Sequence, residues 1–260
     1  MWDRELAVAK ELALKAGSSI MDIYNTDFSD DIEYKDDNSP LTIADLASNR
    51  LIVNSLRKEF PSYAILSEEE NGDNDRLMNP LCFIVDPLDG TKEFIKRNGQ
   101  FTVNIALSCN NRSVMGVIYA PAIDELYFAS EKDGAFLQDA DGKITRLHVS
   151  NNTDLSRLCA VVSGSHPCEE MEEMIRKYDI MNLVRMGSSL KGCLVAKGEA
   201  DIYFRHNPTM EWDTAAMQCI VEEAGGIFRQ MDDSEMLYNR QDNLNSQGFY
   251  AINRFENRLR

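Results

Sequence analysis

Residues 101–108, 113–119, 125–129 and 135–137 read as consecutive strands, punctuated by Asn110-Asn111 and Asp141-Gly142, both strong turn formers. Such a run commits the chain to an antiparallel sheet, which needs a cover on at least one face. Two helices precede it. Leu6, Ala9, Leu12, Ala13, Ala16 and Ile20 recur at helical spacing over residues 2–24. A second helix starts at Thr42, with Asp45 at capping-box spacing and Leu46, Ile52 and Leu56 on its apolar face, and ends near Phe60-Pro61. The apolar run Leu81-Cys-Phe-Ile-Val85 predicts a buried strand that breaks at Asp86-Pro87.

Beyond residue 153 the pattern changes to alternation: strands over 158–163, 183–186 and 201–204, with helices over 169–178 and 190–197 between them. A last helix spans 214–224, preceded by Asp213 and stopped by Gly225-Gly226. The chain therefore divides into an α+β half, 1–152, and a layered α/β half, 153–260. With no internal repeat and no linker composition, the halves are expected to share an interface.

At 260 residues and 43% hydrophobic content the chain can bury a large core. Its formal charge of −16 would repel a nucleic acid backbone or an anionic lipid surface, so a small anionic ligand needs local positive charge, such as bound cations. The six cysteines lack CxxC spacing and read as buried free thiols of a reducing compartment. No secretory leader and no apolar stretch near the ~20 residues of a bilayer span is seen, which points to the cytoplasm.

The candidate chemistry lies in carboxylates. Within Asp86-Pro-Leu-Asp-Gly-Thr91, Asp86 and Asp89 flank a turn directly after a buried strand, where a plain strand-to-helix turn is the competing explanation. Glu68 follows the apolar run Tyr63-Ala-Ile-Leu66 and competes with a solvated acidic run; Asp45 and Asp213 compete with helix capping. Taken together they propose a cluster with few cations nearby in sequence, which hard divalent ions bound through oxygen would relieve. Magnesium fits. Zinc does not, because the histidines and cysteines show no ligand spacing. Metals ~4 Å apart can activate water and stabilise a leaving oxygen, and Gly90-Thr91 would offer backbone N–H groups to a phosphate.

Asp86-Pro-Leu-Asp-Gly-Thr91, Ser67-Glu-Glu69, Glu211-Trp-Asp-Thr-Ala-Ala216 and Ala224-Gly-Gly226 resemble the inositol monophosphatase superfamily, and the match runs to Asn253. Gly90-Thr-Lys-Glu-Phe-Ile95, Asn98-Gly-Gln-Phe-Thr-Val-Asn-Ile-Ala-Leu107, Ser39-Pro-Leu-Thr-Ile-Ala-Asp45 and Gly187-Ser-Ser-Leu-Lys191 are similar to its 3'(2'),5'-bisphosphate nucleotidases of the bacterial CysQ type.

The resemblance implies the sugar phosphatase fold, with alternating layers of helices and sheets, and at least two magnesium ions. Glu68, Asp86 and the Leu88 carbonyl would hold one, and Asp86, Asp89 and Asp213 the second. Glu68 and Thr91, helped by Asp45, would position and deprotonate the attacking water. Gly90 and Thr91 would meet the phosphate, and His166, Ser188, Lys191 and Arg205 the nucleotide. The implied substrate is adenosine 3',5'-bisphosphate, yielding AMP, with lithium inhibition and a place in sulfur assimilation, in the cytoplasm or against the inner membrane. Gly164 and Phe204 depart from the branch's usual arginine and proline. The alternatives are an inositol or sugar phosphate phosphatase on the same scaffold and a non-catalytic metal and nucleotide binder.

Overall fold

The computed structural model describes residues 1–26, 32–34, 40–70, 74–165 and 168–259. Its chain begins with α1 (Asp3–Tyr24), a small hairpin of β1 (Ile32–Tyr34) and β2 (Pro40–Thr42), and α2 (Ile43–Glu59). The expected capping box opens α2: Thr42 Oγ1 accepts from Ala44 N, and Asp45 Oδ2 accepts from Thr42 N at 2.8 Å.

A seven-stranded sheet follows, made of β3 (Ala64–Ser67), β4 (Leu81–Asp89), β5 (Thr102–Cys109), β6 (Arg112–Ala120), β7 (Glu125–Ser130), β8 (Gly134–Gln138) and β9 (Ile144–Arg146), in that spatial order. Short α3 (Thr91–Ile95) interrupts it after β4. Only the β3–β4 pair is parallel; the rest is a meander. The two-residue turn between β5 and β6 places Asn110 and Asn111 at φ 51° and 65°, which suits the twist of a tight hairpin.

The remaining elements are β10 (Cys159–Ser163), α4 (Glu169–Lys177), β11 (Asn182–Met186), α5 (Leu190–Ala196), β12 (Ile202–Arg205), β13 (Thr209–Met210), α6 (Glu211–Glu223), β14 (Ile227–Gln230), β15 (Leu244–Asn245) and β16 (Phe249–Ile252). A mixed five-stranded sheet has the order β11-β10-β12-β16-β14, parallel among its first three strands and antiparallel beyond. The short strands β13 and β15 pair separately.

Alternation along the strands fixes the layers. Phe83, Val85, Ile105 and Val117 pack with α1 and α2. Their neighbours Ile84, Ala106 and Ile118 point the other way, into a core shared with α5, α6 and the near face of the second sheet, including Val161, Tyr203 and Ala251. The far face of that sheet, with Ala160, Ile202 and Tyr250, packs against Met171 and Met174 of α4. Helices and sheets thus alternate through the molecule. Residues from before and after position 153 share this core, which places α6 directly on the first sheet. Gly116 allows this contact, since a Cβ there would lie 2.4 Å from the Ala216 carbonyl oxygen.

Two expectations are corrected. First, the strand holding Asp86 does not break at Asp86-Pro87 but continues to Asp89. Asp86 pairs with Asn104 and Asp89 with Thr102, so β4 carries one extra residue there, a bulge. Pro87, which has no N–H to lose, sits within it. Second, Asp213 is not the N-cap of the last helix. That helix starts at Glu211, so Asp213 is its third residue, with Oδ2 accepting from Met210 N at 2.7 Å. The thiols also differ: Cys82, Cys193 and Cys219 are buried, whereas Cys109, Cys159 and Cys168 are only partly so.

Candidate active site

The bulge in β4 aims the site. In a regular strand residues three apart face opposite sides, but the extra residue brings Asp86 and Asp89 to the same side. Asp213, at the start of α6, meets them there: one oxygen from each of the three carboxylates lies within 4.8 Å of the others. The trio contains no nitrogen or sulfur donor, and such an oxygen set suits magnesium. Glu68, immediately after β3, lines the adjoining cavity without belonging to the trio.

The electrostatics of the cluster ask for a cation. Burial, then the charges of Glu68, Asp89 and Asp213, push the Asp86 carboxyl well above its ordinary range. Burial, then Asp89, raises Asp213 to about 8. Without positive charge these groups bind protons more tightly than free carboxylates do, and a divalent ion would compete with those protons.

Asp89 is held on one oxygen. Its Oδ2 accepts from Ser189 N (2.6 Å), Ser189 Oγ (2.6 Å) and Asn104 Nδ2 (3.2 Å), and Asn104 in turn accepts from Thr102 Oγ1 at 2.9 Å. These bonds leave Oδ1 for a cation. Asp86 Oδ1 accepts from Leu88 N at 3.1 Å. Sequence reasoning missed Ser189, Asn104 and Thr102 as supports, although two polar residues on one face of an otherwise apolar strand were a readable signal.

Thr91 and Asp45 form a second pair. Thr91 Oγ1 donates to Asp45 Oδ1 at 3.0 Å, with the Leu88 carbonyl 3.3 Å away. Asp45 Oδ2 accepts from Thr42, so the carboxylate is fixed at both oxygens. Burial, outweighing those hydrogen bonds, raises Asp45 to about 6. The Thr91 proton is thereby committed, and its lone pairs are left for a donor in the cavity.

That cavity, of about 290 Å³, is lined by Glu68, Asp89, Gly90, Thr91, Asp213, Ser188, Lys191 and Arg205, among others. The structure therefore gathers most of the sequence-predicted set around one space, with Asp86 and Asp45 directly behind it. His166 lies outside the described residues. Lys191 is 7% exposed, and its ammonium donates to the Ser188 carbonyl at 2.6 Å. Burial brings it down to about 8, with Asp89 the largest opposing influence. Arg205 Nε is buried with no acceptor among the described residues. Phe204, by contrast, is core, 5.8 Å from the Tyr250 ring.

Residues 1–255 match the inositol monophosphatase family. The chain is 39% identical over 254 residues to 3'(2'),5'-bisphosphate nucleotidase CysQ of Buchnera aphidicola, a match covering 96% of this chain and 94% of that protein. It is 38% identical over 240 residues to the protein of the same name in Escherichia coli K12, covering 92% of this chain and 96% of that one. Among solved structures, CysQ from Bacteroides thetaiotaomicron superposes with a TM-score of 0.84 at 42% identity, covering 96% of this chain and 98% of the other. No helix among the described residues is long and apolar enough to cross a membrane.

Proposed function

Since this chain belongs to the inositol monophosphatase family and is a phosphatase, we propose that it hydrolyses the 3'-phosphate of adenosine 3',5'-bisphosphate, giving AMP and phosphate, with magnesium as its cofactor. The observation that carries the chemistry is the convergence of Asp86, Asp89 and Asp213 within 4.8 Å beside a cavity that also receives Thr91, Lys191 and Arg205. The nucleotide substrate rests on the similarity to nucleotidases along nearly the whole chain.

Asp86, Asp89 and Asp213, with Glu68 and the Leu88 carbonyl, are the groups that would hold two ions. Magnesium, when bound, supplies charge to the phosphoryl and leaving oxygens and lowers the pKa of water. Thr91, its proton engaged by Asp45, orients the attacking water, and Glu68 takes the proton released as the water oxygen bonds to phosphorus. The ribose O3'–P bond breaks, and the leaving oxygen is protonated from solvent. The backbone of Gly90 and Thr91 holds the transferring phosphate, while Ser188, Lys191 and Arg205 take the second phosphate.

The test is phosphate release from adenosine 3',5'-bisphosphate by the purified protein with magnesium, with and without lithium. Turnover that needs magnesium and falls with lithium is expected. No release from this compound would sink the nucleotide reading. An inositol phosphatase, which the carboxylate trio alone would also serve, is separated by kcat/KM on inositol 1-phosphate, where the second-phosphate groups have no partner.

A further inference from the structure

One carboxylate in the cavity is neither a proposed metal ligand nor a proposed base. Glu93 is 5% exposed and lines the cavity, yet among the described residues its side chain makes no hydrogen bond or ion pair. Its one evident counter-charge is Lys191, on which it acts through space. A buried carboxylate without a donor is unfavourable, so a group kept this way needs a partner supplied from elsewhere.

The local structure goes out of its way to seat it. A Cβ at Gly187 would lie 2.6 Å from Glu93 Cγ and 2.9 Å from the Gln100 carbonyl oxygen. Only glycine lets this turn lie on the Glu93 stem, and Gly187 N is pinned there by Gln100 Oε1 at 2.8 Å. The Glu93 stem is thus packed against this turn, and the residue lines the cavity.

The same cavity offers the opposite kind of unmatched group, the buried Nε of Arg205, beside the Lys191 ammonium. Phosphate oxygens satisfy those donors but would be repelled by Glu93, which only accepts. A ligand that satisfies both carries a hydrogen-bond donor on the same frame as the anion that meets Lys191 and Arg205. A ribonucleotide bisphosphate has both: its second phosphate meets those cations, and its free ribose hydroxyl is the donor left for Glu93. We propose that Glu93 accepts a hydrogen bond from the free ribose hydroxyl beside the scissile phosphate, selecting ribonucleotides over 2'-deoxyribonucleotides. This rests on the reading of the cavity as a nucleotide phosphatase site.

The experiment compares kcat/KM for adenosine 3',5'-bisphosphate and 2'-deoxyadenosine 3',5'-bisphosphate in the wild type, Glu93→Gln and Glu93→Ala, all with magnesium. The wild type is expected to prefer the ribonucleotide by on the order of 10²-fold or more, as sites built to bond a hydroxyl do. Glu93→Ala should collapse the ratio by about tenfold or more through loss on the ribonucleotide, with Glu93→Gln, whose amide oxygen still accepts, in between. Each ratio is internal to one preparation, so partial misfolding cannot mimic the result. A wild-type ratio near one, or an unchanged ratio in Glu93→Ala, overturns the inference; the latter is what a role confined to steadying Lys191 would give. Equal turnover of both nucleotides leaves the nucleotidase reading standing, whereas turnover of neither, with phosphate still released from inositol 1-phosphate, removes both.

Discussion

The two ends of the cavity are built on opposite principles. At the carboxylate end, side chains are held by the protein itself: Asp89 by Ser189 and Asn104, Asp45 by Thr42 and Thr91, Asp213 by the backbone of Met210. At the other end, Arg205 Nε and the Glu93 carboxylate are left without partners among the described residues. A site of this kind has its reactive geometry fixed beforehand and leaves recognition to be completed by the ligand. The carboxylate end should therefore govern kcat and metal affinity, and the far end KM and selectivity.

The largest effect expected is at Asp86. Asp86→Asn should lower kcat by about 10³-fold or more, in keeping with loss of electrostatic stabilisation at a reacting centre, and should abolish magnesium binding by calorimetry. Undiminished turnover would remove the metal assignment. Next comes Thr91→Val, which removes the Asp45–Thr91 pair and should cost about 10²–10³ in kcat with little change in KM. Because Asp45 is raised to about 6 and acts as an acceptor, activity should decline as pH falls through that value. Asp45→Asn should remove this acid limb from the kcat profile.

How far this division could be read in advance depended on the kind of signal. The helix faces, the meander and the Asp45 cap were legible because periodicity and turn chemistry are local. The four carboxylates Glu68, Asp86, Asp89 and Asp213 were legible as a candidate cluster from their places at strand ends and a helix start, and as two metal sites only through the family motifs. What decides that three of them meet is the β4 bulge, and a bulge is settled by pairing with Asn104 and Thr102 more than a dozen residues away. Asp213 looked like a cap because its helix starts three residues earlier than apolar spacing suggests, at Glu211, whose buried side chain accepts from Arg240. The far end was hardest, since nothing local marks Glu93 as facing a cavity.

Smaller effects should respect the same boundary. Ser189→Ala frees Asp89 Oδ2 from its hydroxyl partner and should weaken magnesium binding by about 10–100-fold, as loss of a metal ligand's support does, leaving KM for the nucleotide at saturating magnesium unchanged. Lys191→Met should do the reverse, raising KM for the bisphosphate by roughly tenfold, the worth of about 1.4 kcal/mol, with magnesium affinity preserved. If Lys191→Met instead abolished metal binding, the two ends would not be separable.

The smallest predicted effect is on stability, and its sign follows from the raised carboxyls. An acid held above its ordinary value binds its proton more tightly in the fold than in the unfolded chain, so the metal-free protein should be most stable at low pH with respect to these groups. For Asp213 the loss should run from its ordinary value of 3.8 up to about 8 and then level off, and for Asp45 it should end near 6. Magnesium competes with these protons, so the rise in Tm on adding it should be larger at pH 8 than at pH 5.5. Asp213→Asn, which removes the charge without the volume, should flatten the metal-free curve over this window and cancel most of the magnesium-dependent rise. Lys191→Met should leave that rise in place, since the far end holds no metal ligand. Thermal melts at the two pH values, with magnesium and with chelator, therefore separate the two ends of the cavity without any substrate at all.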